Sequence, residues 1–212
     1  MPFQVIQFVD EEYKSNVFLV VDLPSKHSII IDSGVRAPLE LFVYLSTSHV
    51  CLDYLFLTHE HFDHIGGVSS IKTRFNVDLV ASKECSKRLG DPRNNLSIYA
   101  LLDGRGISCQ KADIEFSEEQ HTFQWLNREL RIMIMPGHSV GGAMYLIDQF
   151  LFTGDILIPG RKTITKLPGG DKELARNSLE TVRNNFDGTT IICPGHGRQV
   201  LLKDVDFAKC YP

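Results

Sequence analysis

Apolar positions along the chain fall into short runs, most of them strand-length. Phe3 to Val9 alternates, Val17 to Asp22 is largely a continuous apolar run, and Ser28 to Asp32 is rich in isoleucine. Alternation predicts a strand with one face in water, whereas a continuous run predicts one covered on both faces. Gly34 breaks this β-rich opening, and Pro38 stands where a helix over Leu39 to Leu45 can begin. Tyr54 to Thr58 reads as a buried strand, Val68 to Phe75 as a short helix after Gly66 and Gly67, and Val77 to Ala81 as another strand. Ser82 can cap a helix reaching Leu89, after which the pattern to residue 122 has no clear period. Leu130 to Met135, Ala143 to Ile147 and Phe150 to Thr153 predict three more strands. Asp171 can cap a helix with an apolar stripe of Leu174, Leu179, Val182 and Phe186, closed by Gly188. Thr189 to Cys193 reads as a final strand before Pro194. Strands come first and then mix with helices, which predicts a layered α+β chain forming one domain over residues 1–212.

Composition narrows the function classes. Apolar residues make up 43% and charged residues 23% of the 212 positions, which excludes disordered and fibrous proteins. The net charge of −4 offers no footprint for nucleic acid or an anionic membrane. Apolar runs such as Val17 to Val21 are far shorter than the roughly 20 residues a membrane helix needs. Asp10, Glu11 and Glu12 interrupt any secretory h-region, so a cytoplasmic location is expected. The five cysteines are scattered without a C-x-x-C pair, and free thiols in a reducing compartment fit that usage.

The chemistry concentrates in Thr58-His59-Glu60-His61-Phe62-Asp63-His64, which holds three of the chain's eight histidines at a predicted strand end. Histidines two apart on extended backbone point the same way, so His59 and His61 can reach one metal ion. Asp63 and His64 fall where the chain turns towards the next helix and can face a second ion. Imidazoles with a carboxylate suit zinc and also tolerate iron or manganese. Three later segments each end a short strand in a glycine turn beside one potential ligand: Pro136-Gly137-His138, Thr153-Gly154-Asp155 and Pro194-Gly195-His196.

This ordered set, with Ile31-Asp32-Ser33-Gly34 ahead of it, resembles the metallo-β-lactamase fold superfamily over roughly four-fifths of the chain. The resemblance implies a four-layer αββα sandwich with metals at one edge. It implies that His59, His61 and His138 hold one ion, that Asp63, His64 and His196 hold the other, and that Asp155 bridges them. Asp32 would orient a ligand from behind, and Asp63 would also aim the nucleophile. Two divalent ions, zinc first, would keep a bridging hydroxide available near pH 7 for attack on a small acyl substrate, a thioester or ester. Leu167-Pro168-Gly169-Gly170-Asp171, followed by Asn177-Ser178-Leu179, is similar to the short glyoxalase II-like hydrolases. Only 16 residues follow His196, so the helical domain with which full-length glyoxalase II grips glutathione is not expected here.

Alternatives from other classes remain open. The superfamily also contains persulfide dioxygenases with one iron on a His, His, Asp set, which these residues include. A complete second ligand set favours the hydrolase. His61 stands where flavodiiron oxidoreductases need a carboxylate, and a nuclease would want a basic surface or a larger insertion than the 40 residues between Asp155 and His196. A binding module without catalysis would not need all seven ligands. Arg161 and Lys162 read as a solvated basic loop or, alternatively, as contacts for an anionic substrate.

Overall fold

The computed structural model describes residues 3–100, 104 and 106–212; Met1, Pro2, and residues 101–103 and 105 of the patternless stretch lie outside the described residues. Six strands pair in chain order into one sheet: β1 (Phe3–Val9), β2 (Asn16–Asp22), β3 (His27–Ile31), β4 (Cys51–Phe56), β5 (Asp78–Ser82) and β6 (Ile114–Phe116). The other sheet runs β7 (Gln120–Trp125), β8 (Arg128–Ile134), β9 (Ala143–Ile147), β10 (Phe150–Gly154), β11 (Ile191–Pro194) and β12 (Val200–Leu201). The helices are α1 (Leu39–Thr47), α2 (Phe62–Ile65), α3 (Val68–Phe75), α4 (Lys83–Arg88), α5 (Ser97–Ala100) and α6 (Lys172–Asn185). No helix among the described residues is long and apolar enough to cross a membrane.

The layers follow from where alternate side chains go. All seven residues of β2 are buried. Phe18 and Val20 pack between the sheets against Phe56, Tyr145 and Phe152, while Val17, Leu19 and Val21 pack with Leu41, Leu45 and Ile71 of the outer helices. A strand so placed has no wet face, hence its uninterrupted apolar sequence. On the far side, Leu151 and Ile192 of the second sheet meet Ala175, Leu179 and Val182 of α6. The result is α1, α3 and α4, then two sheets, then α6: an αββα sandwich.

Several local expectations shift. Asp171 caps α6 through the amides of Glu173 and Leu174, yet Leu174 is 44% exposed, and the inward stripe is Ala175, Ser178, Leu179 and Val182. The helix stops at Asn185 with extended Phe186 after it, three residues before Gly188. β6 and the start of β7 lie in the patternless stretch, and β12 follows the strand expected to be last. β6 has three residues and β12 two, too few to display a period.

One edge collects the functional loops. β4 and β5 run parallel, as do β10 and β11, and β8 shares their direction because it and β10 each pair antiparallel with β9. The segments after β4, β8, β10 and β11 therefore leave on the same side, and the Ala143 amide donates to the Thr58 carbonyl to tie the sheets there.

Candidate metal centre

Each candidate ligand sits past a strand end, and the surrounding backbone leaves it little freedom. Asp32 follows β3 with a left-handed φ of 61°, a conformation aspartate tolerates better than most residues. Its carboxylate accepts from the Thr58 amide and hydroxyl at 2.7 Å each and lies 2.9 Å from His64 Nδ1. That contact turns His64 Nε2 towards the other ligands. Gly195 is dictated by space, since a Cβ there would lie 2.1 Å from Asp155 Oδ1 and 2.8 Å from His64 Cε1. His196 is fixed from the other end of the chain, with Nδ1 3.1 Å from the Lys14 carbonyl.

The structure brings all seven expected ligands together in two groups. His59, His61 and His138 form one, with His138 Nε2 2.9 Å from His61 Nδ1; Asp63, His64 and His196 form the other. Within each group, candidate ligand atoms lie within 4.8 Å of one another. Asp155 stands between them: Oδ1 is 3.5 Å from His64 Nε2, and Oδ2 is 3.5 Å from His196 Nε2 and 3.8 Å from His138 Nε2. Asp63 Oδ2 is 3.1 Å from His196 Nε2.

Two observations test whether a metal fits. The Nε2 atoms of His59, His61 and His64 and Oδ1 of Asp155 are buried without a hydrogen-bond partner. Orphaned polar atoms are costly unless something else satisfies them, and four of them among these ligand groups suit bound cations. The electrostatics agree. Burial first, and then neighbouring imidazoles, hold His59 well below the ordinary histidine pKa, and burial with His138 takes His61 down to about 3. Burial also lowers His138. These imidazoles stay neutral, with lone pairs free, as ligation requires. Burial alone would depress His64 too, but Asp63, Asp32 and Asp155 outweigh it and raise its pKa well above normal. The Asp63 carboxyl, which burial would raise, is instead lowered by His64 and His196.

Three contributors carry weaker sequence signals. The buried Glu60 carboxylate, between the first two histidines, accepts from the Gly141 amide at 3.2 Å and lies 3.8 Å from Arg88 Nε. Ser15 Oγ donates to the Asp63 carbonyl at 2.6 Å. Asn16 Nδ2 donates to the Pro194 and Gly197 carbonyls at 2.8 Å each. Two polar residues opening a wholly apolar run were the available hint for this last pair.

Residues 11–196 match the family model of the metallo-beta-lactamase superfamily. The chain belongs to that superfamily, and it is a metal-dependent hydrolase. Its relatives include the hydroxyacylglutathione hydrolase GloC of Haemophilus influenzae, 30% identical over 188 residues that span 87% of this chain and 86% of that protein. Among solved structures, the BLEG-1 B3 metallo-beta-lactamase superposes with a TM-score of 0.84 at 27% identity, covering 95% of each chain. TTHA1623, solved in a di-iron-bound form, shares the fold with a TM-score of 0.77 at 23% identity, covering 94% of this chain and 96% of that one. These matches fit the layered sandwich and the histidine-aspartate clusters at its edge.

Proposed function

We propose that the protein hydrolyses a small acyl thioester at a pair of divalent ions, most simply zinc. His59, His61 and His138 would hold one ion, Asp63, His64 and His196 the other, and Asp155 would serve both. The observation that carries this reading is that two complete ligand groups share one carboxylate, whose oxygens reach histidines of each. When bound, the ions would supply Lewis acidity and acidify water towards a pKa of about 7.

The chain's own residues do the rest. Asp32 holds His64 in one ring orientation through Nδ1, an arrangement that fixes the tautomer and basicity of a ligand. Asp63 lies on the more open side, its side chain 14% exposed like that of His196, and can orient an attacking water and take its proton. A thiolate leaves readily, so the site needs no dedicated acid opposite Asp63. The relative named for hydroxyacylglutathione supports an acylated thiol as substrate. A cytoplasmic setting suits the five free cysteines.

The test joins metal content to turnover. Protein purified without added metal and then reconstituted should hold two ions per chain. It should cleave S-lactoylglutathione faster than a lactone or a chromogenic cephalosporin. A stoichiometry that never exceeds one, with oxygen uptake on a persulfide and no thioester cleavage, would replace this reading with the iron dioxygenase.

A further inference from the structure

A second cluster of donor atoms lies at the opposite end of the sheet formed by β1 to β6. β3 and β4 run parallel, and the ligand loops described above follow their C-terminal ends. His27 opens β3 and Cys51 opens β4, and the two are direct partners in the strand register. Asp53 is the third member: ligand atoms of His27, Cys51 and Asp53 all lie within 4.8 Å of one another. The six residues of β4, roughly 20 Å of strand, separate the two ends.

The backbone here is pinned. The Cys51 amide donates to the Lys26 carbonyl at 2.8 Å, and Ser28 Oγ donates to the Cys51 carbonyl at 2.9 Å, so Cys51 is fastened on both sides of His27. Ser28 pairs with Leu52 and Ile29 with Tyr54, which leaves Asp53 as the extra residue of a β-bulge. Bulges re-aim side chains. The Asp53 carboxylate meets Trp125 of the inter-sheet core, whose indole N–H donates to Oδ2 at 2.7 Å. The other oxygen, Oδ1, lies 2.6 Å from His27 Nδ1. Trp125 is 2% exposed, so the carboxylate is oriented from within the core while Cys51 is open to solvent.

We propose that His27, Cys51 and Asp53 form a separate site for one borderline-soft divalent cation of the zinc class. One thiolate, one imidazole and one carboxylate suit zinc or cobalt and disfavour magnesium or calcium, which take oxygen ligands. Three protein ligands leave a fourth position to water on the exposed side. The Trp125 indole holds the carboxylate in place from behind, as hydrogen-bonded partners of metal ligands do. On binding, the Cys51 thiol gives its proton to solvent and the thiolate sulfur bonds to the ion. The ion would clamp β3 to β4 and, through Trp125, brace β7 of the other sheet.

Two features of the chain supply the test. The seven candidate ligands at the other end include no sulfur, and the remaining four cysteines are buried. A thiolate-to-cadmium charge-transfer band therefore reports Cys51. Trp125 is the single tryptophan, so its emission reports the hydrogen bond to Asp53. Cadmium is added to full-length protein, as purified and dialysed free of loosely held metal. The band should grow and tryptophan emission should shift with one common midpoint. Cys51→Ser should lose both responses and take up one cadmium per chain fewer than wild type, with its circular dichroism spectrum unchanged. His27→Ala and Asp53→Asn leave the thiol in place, and each should weaken both responses by about tenfold or more. A band that keeps its midpoint in those two variants would reduce the site to a lone surface thiol and overturn the proposal. A wild type without the band, or with a band but unchanged emission, would overturn it as well.

Discussion

Asp63 is placed where one carboxylate can both hold an ion and receive a proton. Its carboxylate lies 3.6 Å from His64 Nε2 and 3.1 Å from His196 Nε2, while its backbone is held separately by Ser15. Asp63→Ala should therefore abolish turnover and leave the circular dichroism spectrum unchanged. Retention of more than about a tenth of kcat, a barrier change under about 1.4 kcal/mol, would remove the proton-handling role. At this scale the candidate ligands were legible as a cluster because their identity is chemical: an imidazole or carboxylate beside a turn glycine can be read without its neighbours. Glu60, Ser15 and Asn16 were not, because each acts through a backbone group about 50 to 180 residues away, a pairing that no local pattern encodes.

Helix α6 shows how an element far from the chemistry sets it. The Asp171 amide donates to the Gly137 carbonyl at 2.8 Å, and Ser178 Oγ donates to the Pro136 carbonyl at 2.8 Å, so the helix grips the loop that carries His138. Gly137 has a φ of +129°, and a Cβ there would lie 2.2 Å from the Ala175 amide nitrogen. Gly137→Ala should push that loop off the helix and displace His138. The expected result is a protein that folds but binds only about one zinc per chain, read by elemental analysis after dialysis. Two tightly held ions would show that the loop relaxes without moving its ligand. Strands covered on both faces, such as β2, announced themselves as apolar runs. α6 was found by its cap and spacing, but its facing was misjudged at Leu174, because the stripe that packs is built partly from Ala175 and Ser178. A small or hydroxylated residue gives little hydrophobic signal even when buried.

For the whole molecule, the centre lies where the two sheets are already tied by hydrogen bonds such as that from the Ala143 amide to the Thr58 carbonyl, and its charges make stability depend on pH. In metal-stripped protein, burial holds His59, His61 and His138 below the unfolded value of about 6.5. Below that pH the unfolded chain binds more protons, so stability falls as pH drops through the depressed values. His64 and His196 are raised by their carboxylates despite burial. Their contribution is complete below about 6.5 and is lost as pH climbs through the raised values. Melting of the stripped protein should therefore peak near about pH 6.5, and a midpoint still rising at pH 8.5 would contradict these assignments. The stitching of Lys14 and Asn16 to His196 and its neighbours also has a consequence in time. The ribosome makes His64 and His196 132 residues apart. At roughly 5–20 residues per second, about 7–26 s pass between them. A nascent chain in that interval has the first histidines and lacks the partners that complete the second ligand group. On the two-ion reading, the second ion can be acquired only once the chain has been made as far as His196, so its loading follows synthesis of nearly the whole polypeptide.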